Sequence, residues 1–367
     1  MSQLKVNGIR NTSATSDAIT LATDGTCTVK ATNRSSNLII NGSCIVAQRS
    51  QSSTSAGYQT LDRWTSSMAG TDEACTFAQA DVTAGTDPWN AGFRKAFKVT
   101  NGNQTSGAGA ADDVSISQNI EAQNLSNSGW DYTSSSSYIT LSFWAKSSVA
   151  QTFYTGFRIY GDDQREYCFA YTLAANTWKK VTHSIPGGSG HTILNTNALG
   201  AFVQWPLWWG TNYTSSGRAV DTWQIKNNAA NYPDNTSTWY TTNDATFELT
   251  GVQLEVSDHA TEFEFRSYGD ELARCQRYYY EAPDLSHRIA DGLIACNATG
   301  SYALPVGGAH PTTMRAAPTL TLDSVTYSGC SFNSSNTNTT AWGMRVTTDN
   351  TTHFRITTGS ATFDAEL

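Results

Sequence analysis

Residues 246–280 read TFELTGVQLEVSDHATEFEFRSYGDELARCQRYYY, and the rest of the chain is best taken from this stretch outward. Phe247 and Leu249 share one face of a period-two pattern, while Val252, Leu254 and Val256 keep the period in the opposite phase. A one-residue slip at Thr250-Gly251 is the mark of a β-bulge, and glycine tolerates the backbone a bulge needs. The reading is a long strand, a polar turn, a second short strand and one amphipathic helix. A bulged strand can turn a corner between two sheets. The segment is therefore expected to close a β-sandwich and to seal its end with the helix, whose inward stripe is Leu272, Cys275 and Tyr279.

The whole chain has the composition this predicts. Of its 367 residues 39% are hydrophobic and only 15% charged, with Ser, Thr, Asn and Gly filling the difference. Such a sequence makes strands joined by hydrogen-bonding turns, not a helical bundle. A formal charge of −8 argues against nucleic acid, whose phosphates require a basic face. No apolar run is long enough for a membrane helix, and MSQLKVNGIR at the start lacks a signal-peptide core. Seven cysteines without CxxC spacing give neither a disulfide framework nor a zinc site, so free, partly buried thiols and assembly in a reducing cytoplasm are expected.

Three units are expected. Residues 1–35 hold a hairpin, AITLATDGTCTVK, whose Thr23-Asp24-Gly25 loop pairs Leu21 with Cys27 and Ile19 with Val29. One hairpin is marginal alone, so this segment serves as an anchor or oligomerisation element, the alternative being a frayed terminal hairpin lying on the main domain. Residues 36–282 are an antiparallel jelly-roll sandwich. NLIINGSCIVAQR opens it with a buried strand; short alternating runs at 93–99, 138–148, 152–161, 165–173, 177–187 and 199–210 follow. Residues 283–367 form a small β-domain. In it a Thr348-Asp349-Asn350 loop would pair Met344 with Phe354 and Trp342 with Ile356. The fold class is thus mainly β with one short helix, and the apolar poverty of both flanking units points to oligomerisation.

Several marks occur in a fixed order: Asn37-Leu38-Ile39-Ile40-Asn41-Gly42 with Ala47-Gln48-Arg49, then Leu61-Asp62-Arg63-Trp64 and Leu141-Ser142-Phe143-Trp144 with Lys146-Ser147-Ser148. Gly251-Val252-Gln253-Leu254-Glu255, Ala260-Thr261, Phe263-Glu264, Arg266-Ser267-Tyr268 and Cys275-Gln276-Arg277-Tyr278-Tyr279 complete the set. Across residues 37–281 the chain resembles virion structural proteins of tailed bacteriophages, especially marine and cyanobacterial ones, of the tail-fibre family with a carbohydrate-binding-module-like jelly roll. That family has Gly and Pro where this chain has Ser257 and Glu262. The resemblance implies a trimeric tail fibre or receptor-binding fibre, or alternatively a capsid-bound decoration protein or head fibre, in either case binding without catalysis. Its partners would be other virion proteins of the tail or capsid, itself as a homotrimer, and host-surface glycans, with no nucleic acid and no membrane insertion. It would reside on the virion surface after assembly in the bacterial host cytoplasm.

The binding signal is aromatic. Trp208 and Trp209 are neighbours and cannot both face inward in a regular strand, whereas Trp205 falls in phase with the core. Tyr213, Trp223, Trp239 and Tyr240 follow in the loops, and Trp89 and Trp130 can extend the surface; these eight are the glycan-binding candidates, because aromatic faces pack on the C–H faces of sugar rings. Glu255, Glu262 and Glu264 invite reading as a glycosidase pair, a third class of function, but sit where a closing strand would show a solvated face. No catalytic residue, cofactor or metal ligand is assigned. Structural calcium at Asp112-Asp113 or Asp162-Asp163 is conceivable, though no known ligand spacing indicates it. The six His show no HExxH spacing.

Overall fold

The computed structural model describes residues 6–9, 19–21, 23–25, 27–29, 37–282, 285, 300–348 and 355–367. A first, three-stranded antiparallel sheet comprises β1 (Gly8–Ile9), β2 (Ile19–Leu21) and β3 (Cys27–Val29). Its hairpin has the expected register, Leu21 opposite Cys27 and Ile19 opposite Val29, with Gly25 at φ +85°. Strand β1, pairing with β2, was not foreseen.

The sandwich is built from β4 (Ser52–Ser53), β5 (Trp64–Ala69), β6 (Thr76–Asp81), β7 (Lys95–Thr100), β8 (Asp113–Glu121), β9 (Tyr138–Ser147), β10 (Gln151–Ile159), β11 (Arg165–Leu173), β12 (Lys179–Pro186), β13 (Leu199–Trp209), β14 (Trp223–Ile225) and β15 (Thr246–Glu255). One six-stranded sheet runs β14-β11-β10-β13-β8-β5, the other β12-β9-β15-β7-β6-β4. Alternation makes their inner faces apolar: Ala201, Val203 and Trp205 on β13 meet Ile139, Leu141, Phe143 and Ala145 on β9 in one core. At its centre the Trp205 ring lies 5.5 Å from both Trp64 and Phe143. Each such aliphatic or Phe side chain taken from water contributes roughly 1.5–3 kcal/mol.

Strand β15 is where the pattern slips. Thr250 faces Trp144, but the next partner pair is Gln253 and Ser142, so two residues oppose one. Gly251 takes φ +61°, and Phe247, Leu249, Val252 and Leu254 all reach the core. The bulge does not carry the strand round a corner, as expected, because β15 stays in the middle of one sheet and changes neighbour instead. Before the bulge it pairs with β7; after it, Val252 N donates to Gly42 O (2.9 Å) and Leu38 N to Leu254 O (3.0 Å). Residues 37–42 are not the buried strand expected, since much of this bonding runs through the Asn37 side chain.

The second short strand of the opening stretch is likewise absent. Residues 261–266 are irregular and tied down by side chains, Glu264 N donating to Gln253 Oε1 at 2.8 Å. Of the acidic residues expected on a solvated face, Glu262 is exposed, Glu264 half-buried and Glu255 interior. Glu255 is fully buried and accepts from Thr261 N (2.8 Å), Thr261 Oγ1 (2.6 Å) and Gln253 Nε2 (2.9 Å), while Glu248 pairs with Lys146 at 2.8 Å.

Three one-turn helices, α1 (Asp87–Asn90), α2 (Ala122–Ser126) and α3 (Thr238–Thr241), lie in connections; α4 (Tyr268–Gln276) is longer and starts at a Ser267 cap whose Oγ accepts from Asp270 N. Cys275 and Tyr278 pack with Ile40 and Val46. Tyr279, expected on the helix stripe, instead begins the third unit. That unit comprises β16 (Tyr279–Ala282), β17 (Gly300–Ala309), β18 (Thr319–Ser328), β19 (Cys330–Thr337), β20 (Ala341–Thr348) and β21 (Arg355–Asp364) in two sheets, β16-β21-β18 and β17-β20-β19. It therefore starts ahead of the boundary expected at 283. The β20–β21 hairpin does not form: β20 is flanked by β17 and β19 and has no free edge. Trp342 faces Gly308 and Thr337, and Ile356 faces Tyr327; Asp349, Asn350 and Phe354 lie outside the described residues.

Candidate functional site

The site begins with a second irregularity, on β13. Pro206 faces Ser115 and Trp208 faces Val114, so Leu207 is an extra residue and the strand's phase changes beside the tryptophans. Trp208 turns inward, 7% exposed, and stacks on Tyr240 at 5.6 Å and 22°. Trp209 turns to the outer face of the sheet, half-buried, with edge contacts to Tyr232 (5.1 Å) and Tyr213 (5.8 Å). The two rings point to opposite faces, but neither is exposed, Trp208 being buried and Trp209 half-buried.

Beside Trp209 is a hollow of about 280 Å³, lined by Asp113, Arg158, Trp209, Tyr213, Lys226, Asn228 and Asn231. Asp113 opens β8 directly opposite Trp209, and Arg158 occupies an outward position of β10. The remaining residues belong to the 210–236 connection, which folds over this face: Asn231 N donates to Tyr213 O (2.8 Å), Ser215 N to Tyr232 O (3.0 Å) and Lys226 N to Gln164 O (2.9 Å).

Under the hollow lies a buried polar layer. Glu166, fully buried, bonds Arg158 at 3.0 Å and Arg218 at 3.2 Å; Arg158 also donates to Asn231 Oδ1 (2.9 Å), and Tyr232 Oη donates to Gln204 Oε1 (3.0 Å). Burial pushes the Glu166 carboxyl up, and the two guanidiniums offset this in part. Asp113 is also raised by burial, against the Ser67 hydroxyl that donates to it. Burial lowers Lys226, and the nearby Arg158 charge lowers it further. The Nε of Arg158 and the Nε1 of Trp209 are buried without a hydrogen-bond partner.

Such a hollow offers ring faces, carboxylate and amide acceptors and cationic donors, the mixture that orients a polyhydroxylated ligand. Two larger hollows flank α4. One, of about 460 Å³, has no aromatic ring among the residues that line it; the other, of about 550 Å³, has Phe265 as its only ring.

Of the eight expected aromatic residues, the structure brings Trp209 and Tyr213 together. Four are interior and cannot serve as exposed platforms: Trp208 and Tyr240 in their stack, Trp239 fully buried, and Trp130 packed on Phe157 at 6.0 Å with its Nε1 donating to Ser137 O. Trp223 lies away from the hollow, half-buried against His191 (4.4 Å) and Tyr167 (5.5 Å), its Nε1 donating to Pro186 O. Trp89 belongs to a separate cluster with Phe93, Trp178, Trp144 and Phe263, and the Arg94 guanidinium covers its ring at 4.3 Å. Arg158, Lys226, Asn228 and Asn231 are not among the residues that the sequence singles out, and Asp113 is suggested there only as a conceivable calcium ligand. The signal for Arg158 was present in the alternation of TFYTGFRI, where Phe153 and Phe157 point inward.

Other expected chemistry is committed elsewhere. Asp112 accepts from Gly109 N (2.6 Å) and from the Tyr240 hydroxyl (3.1 Å), and among the described residues no cluster of His, Cys, Asp or Glu could hold a metal. Glu264 and Asp270 line the larger hollow together, but Glu264 pairs with Arg266 (3.2 Å) and Asp270 accepts from Ser267 at the helix cap. Cys44, Cys75, Cys168 and Cys275 are free and buried.

No family model and no curated protein matches the chain. Among solved structures it is similar to the N-terminal cellulose-binding domain from Cellulomonas fimi β-1,4-glucanase C, with 15% identity over 58% of this chain and 98% of that one and a TM-score of 0.28. It is also similar to TmCBM61 in complex with β-1,4-galactotriose, with 10% identity over 61% and 100% and a TM-score of 0.29. A third is the CBM22-1–GH10 portion of Clostridium thermocellum xylanase 10B complexed with xylohexaose, with 9% identity over 59% and 29% and a TM-score of 0.28. At such scores these likenesses bear no weight; the fold and the hollow stand on their own strands and contacts.

Proposed function

We propose that this chain binds glycans without transforming them, through the hollow beside Trp209. The observation that carries the reading is the junction of a half-buried Trp209 and Tyr213 with Asp113, Lys226, Asn228 and Asn231 in one concavity on a sheet. A ring packs against the apolar face of a sugar, and the polar groups satisfy hydroxyls that would otherwise lose water on binding.

The setting we propose is the surface of a tailed-phage particle, as a trimeric tail fibre or receptor-binding fibre that contacts host-surface glycans. The sequence resemblance supports this, and so do apolar side chains left open on the first sheet, Ile9 at 54% and Leu21 at 39% exposure, which suit a second copy or another virion protein. The second reading is a capsid-bound decoration protein or head fibre with the same sandwich.

Glycan-array binding of the whole chain tests the first claim. Trp209→Ala is expected to weaken the best signal at least about tenfold, the loss typical of a central aromatic contact. A variant that binds like the parent removes this hollow from the function. Antibody labelling of particles separates tail from head: label over the capsid overturns the tail-fibre reading and favours the second.

A further inference from the structure

The hollow beside Trp209 has a charge that its general character does not explain. We infer that its ligand is an acidic sugar, one whose ring carries a carboxylate or a sulfate ester. This rests on the glycan reading above and names the class of glycan.

The argument is one of counting charges and their partners. Arg158, Arg218 and Lys226 are cationic; Glu166 and Asp113 are anionic. One buried carboxylate, Glu166, serves both guanidiniums. Asp113 is turned to the Ser67 hydroxyl, whose Oγ lies 3.0 and 3.1 Å from its two oxygens. Lys226 forms no ion pair among the described residues, although it lines the hollow with Arg158. Among the residues that line the hollow itself the charged groups are Arg158 and Lys226 against Asp113, two cations to one carboxylate, on a chain whose formal charge is −8.

Like charges held close in a partly desolvated site repel: the Lys226 ammonium's proton affinity is lowered first by burial and then by Arg158, with Glu166 opposing both. An anion seated between Lys226 and Arg158 would relieve the repulsion, as neither a hydroxyl nor an amide can. Arg158 is held for it: 6% exposed, fixed by Glu166 and Asn231, its aliphatic and guanidinium surface lying against Phe202 with Cζ 4.7 Å from the ring centre. A planar guanidinium with its geometry set beforehand suits carboxylate and sulfate oxygens alike.

The test is an array on which each oligosaccharide backbone is printed in three forms: with hexuronate residues, with those carboxyls reduced to neutral hydroxymethyl groups, and with the neutral form O-sulfated. The expected result is binding to an acidic form at least about tenfold tighter than to its neutral counterpart, with the preference falling between 50 and about 500 mM salt. Whether the uronate or the sulfate row carries the signal identifies the source of the charge. Lys226→Met should narrow the acidic-to-neutral ratio and Lys226→Arg should restore it. Equal binding of neutral and acidic forms, with a ratio that Lys226→Met leaves unmoved, overturns the acidic-sugar inference while the glycan reading survives. Failure of every row overturns both.

Discussion

Gly251 shows how much a single residue decides. At φ +61° it sits where an L side chain is strained, and a Cβ placed on it would lie 2.6 Å from Cζ of Phe93, itself buried against Phe263 (4.8 Å) and Phe265 (5.1 Å). The left-handed backbone costs an alanine about 1–2 kcal/mol and the displaced ring about 1–3 kcal/mol more. Gly251→Ala should therefore lose roughly 2–5 kcal/mol in urea unfolding, with the midpoint lowered at unchanged slope; an unmoved midpoint would mean that the bulge does not need glycine. This bulge was legible in the sequence because both halves of β15 are apolar and out of phase. The site was legible only in part. Two adjacent tryptophans had to face opposite ways, but which of them faced out depends on Leu207, an extra residue set by pairing with β8. Arg158 and Lys226 gave no sign of meeting because they belong to a strand and a connection far apart in the chain.

Among elements, the least regular one anchors the most central strand. Past the bulge, β15 loses β7 as a neighbour, and Asn37 takes up the exposed ladder: its amide donates to Val252 O (3.0 Å) and accepts from Leu254 N (3.0 Å) and Ile39 N (2.9 Å). The side chain thereby satisfies backbone groups that a strand would otherwise supply, inside a site only 3% exposed. Asn37→Ala leaves two buried N–H groups and one carbonyl short of a partner, at about 1–3 kcal/mol for each group that water cannot reach. We expect a loss of roughly 2–4 kcal/mol and faster amide exchange at Leu254 specifically. Leu254 exchanging as slowly as its neighbours on β9 would show that water or a shift of backbone replaces Asn37. Elements whose alternation is clean were readable, and those with polar residues in phase were not. Strand β8 escaped because Gln118 takes an inward position among Val114, Ile116 and Ile120, where it bonds both Ile40 N and Ile40 O. Strand β19, CSFNSSNT, carries almost no apolar signal. The mistaken β20–β21 hairpin has a different cause: β20 already has a sequence neighbour on one edge, β19 before it, and the distant β17 on the other, while β21 goes to β16 and β18.

At the scale of the molecule, the third unit is fastened to the sandwich by buried charge. Glu366 pairs with Arg63, 1% exposed, and with Arg49 (3.4 Å); Arg49 also reaches Asp364 (3.1 Å), and its guanidinium covers Tyr279 at 3.6 Å. The Arg63 guanidinium lies 3.4 Å from the centre of the Tyr278 ring, Arg277 holds Glu121 (2.9 Å), and Arg315 Nη1 donates to Asn197 O (2.9 Å). Leu61-Asp62-Arg63-Trp64 are all four buried, the two charged residues with the two apolar ones, and nothing local announces that the Glu366 partner of Arg63 and Arg49 lies some three hundred positions on.

Asp62 makes this seam sensitive to pH. Burial drives its carboxyl up to about 6; the Gln48 hydrogen bonds and Arg49 at 3.8 Å pull the other way, and Arg49 is shared with two further carboxylates. A carboxyl raised above its unfolded value of 3.8 binds more protons in the folded state, so its contribution to stability is fully present below that value and is lost as pH rises through about 6. A displacement of this size corresponds to roughly 3 kcal/mol. Glu121 works against it. Burial raises that carboxyl, but the Arg277 bonds outweigh burial and hold it below its ordinary value, so its contribution is lost as pH falls. Total stability therefore mixes opposed slopes, and a difference experiment is needed. Asp62→Asn removes only the Asp62 slope. Relative to the parent chain it should gain about 2–3 kcal/mol in urea unfolding between pH 4 and pH 7, most of it below pH 6. Two curves that run parallel across that range would mean that Asp62 is ionised in the folded chain throughout, its charge fully compensated by Arg49 at the seam.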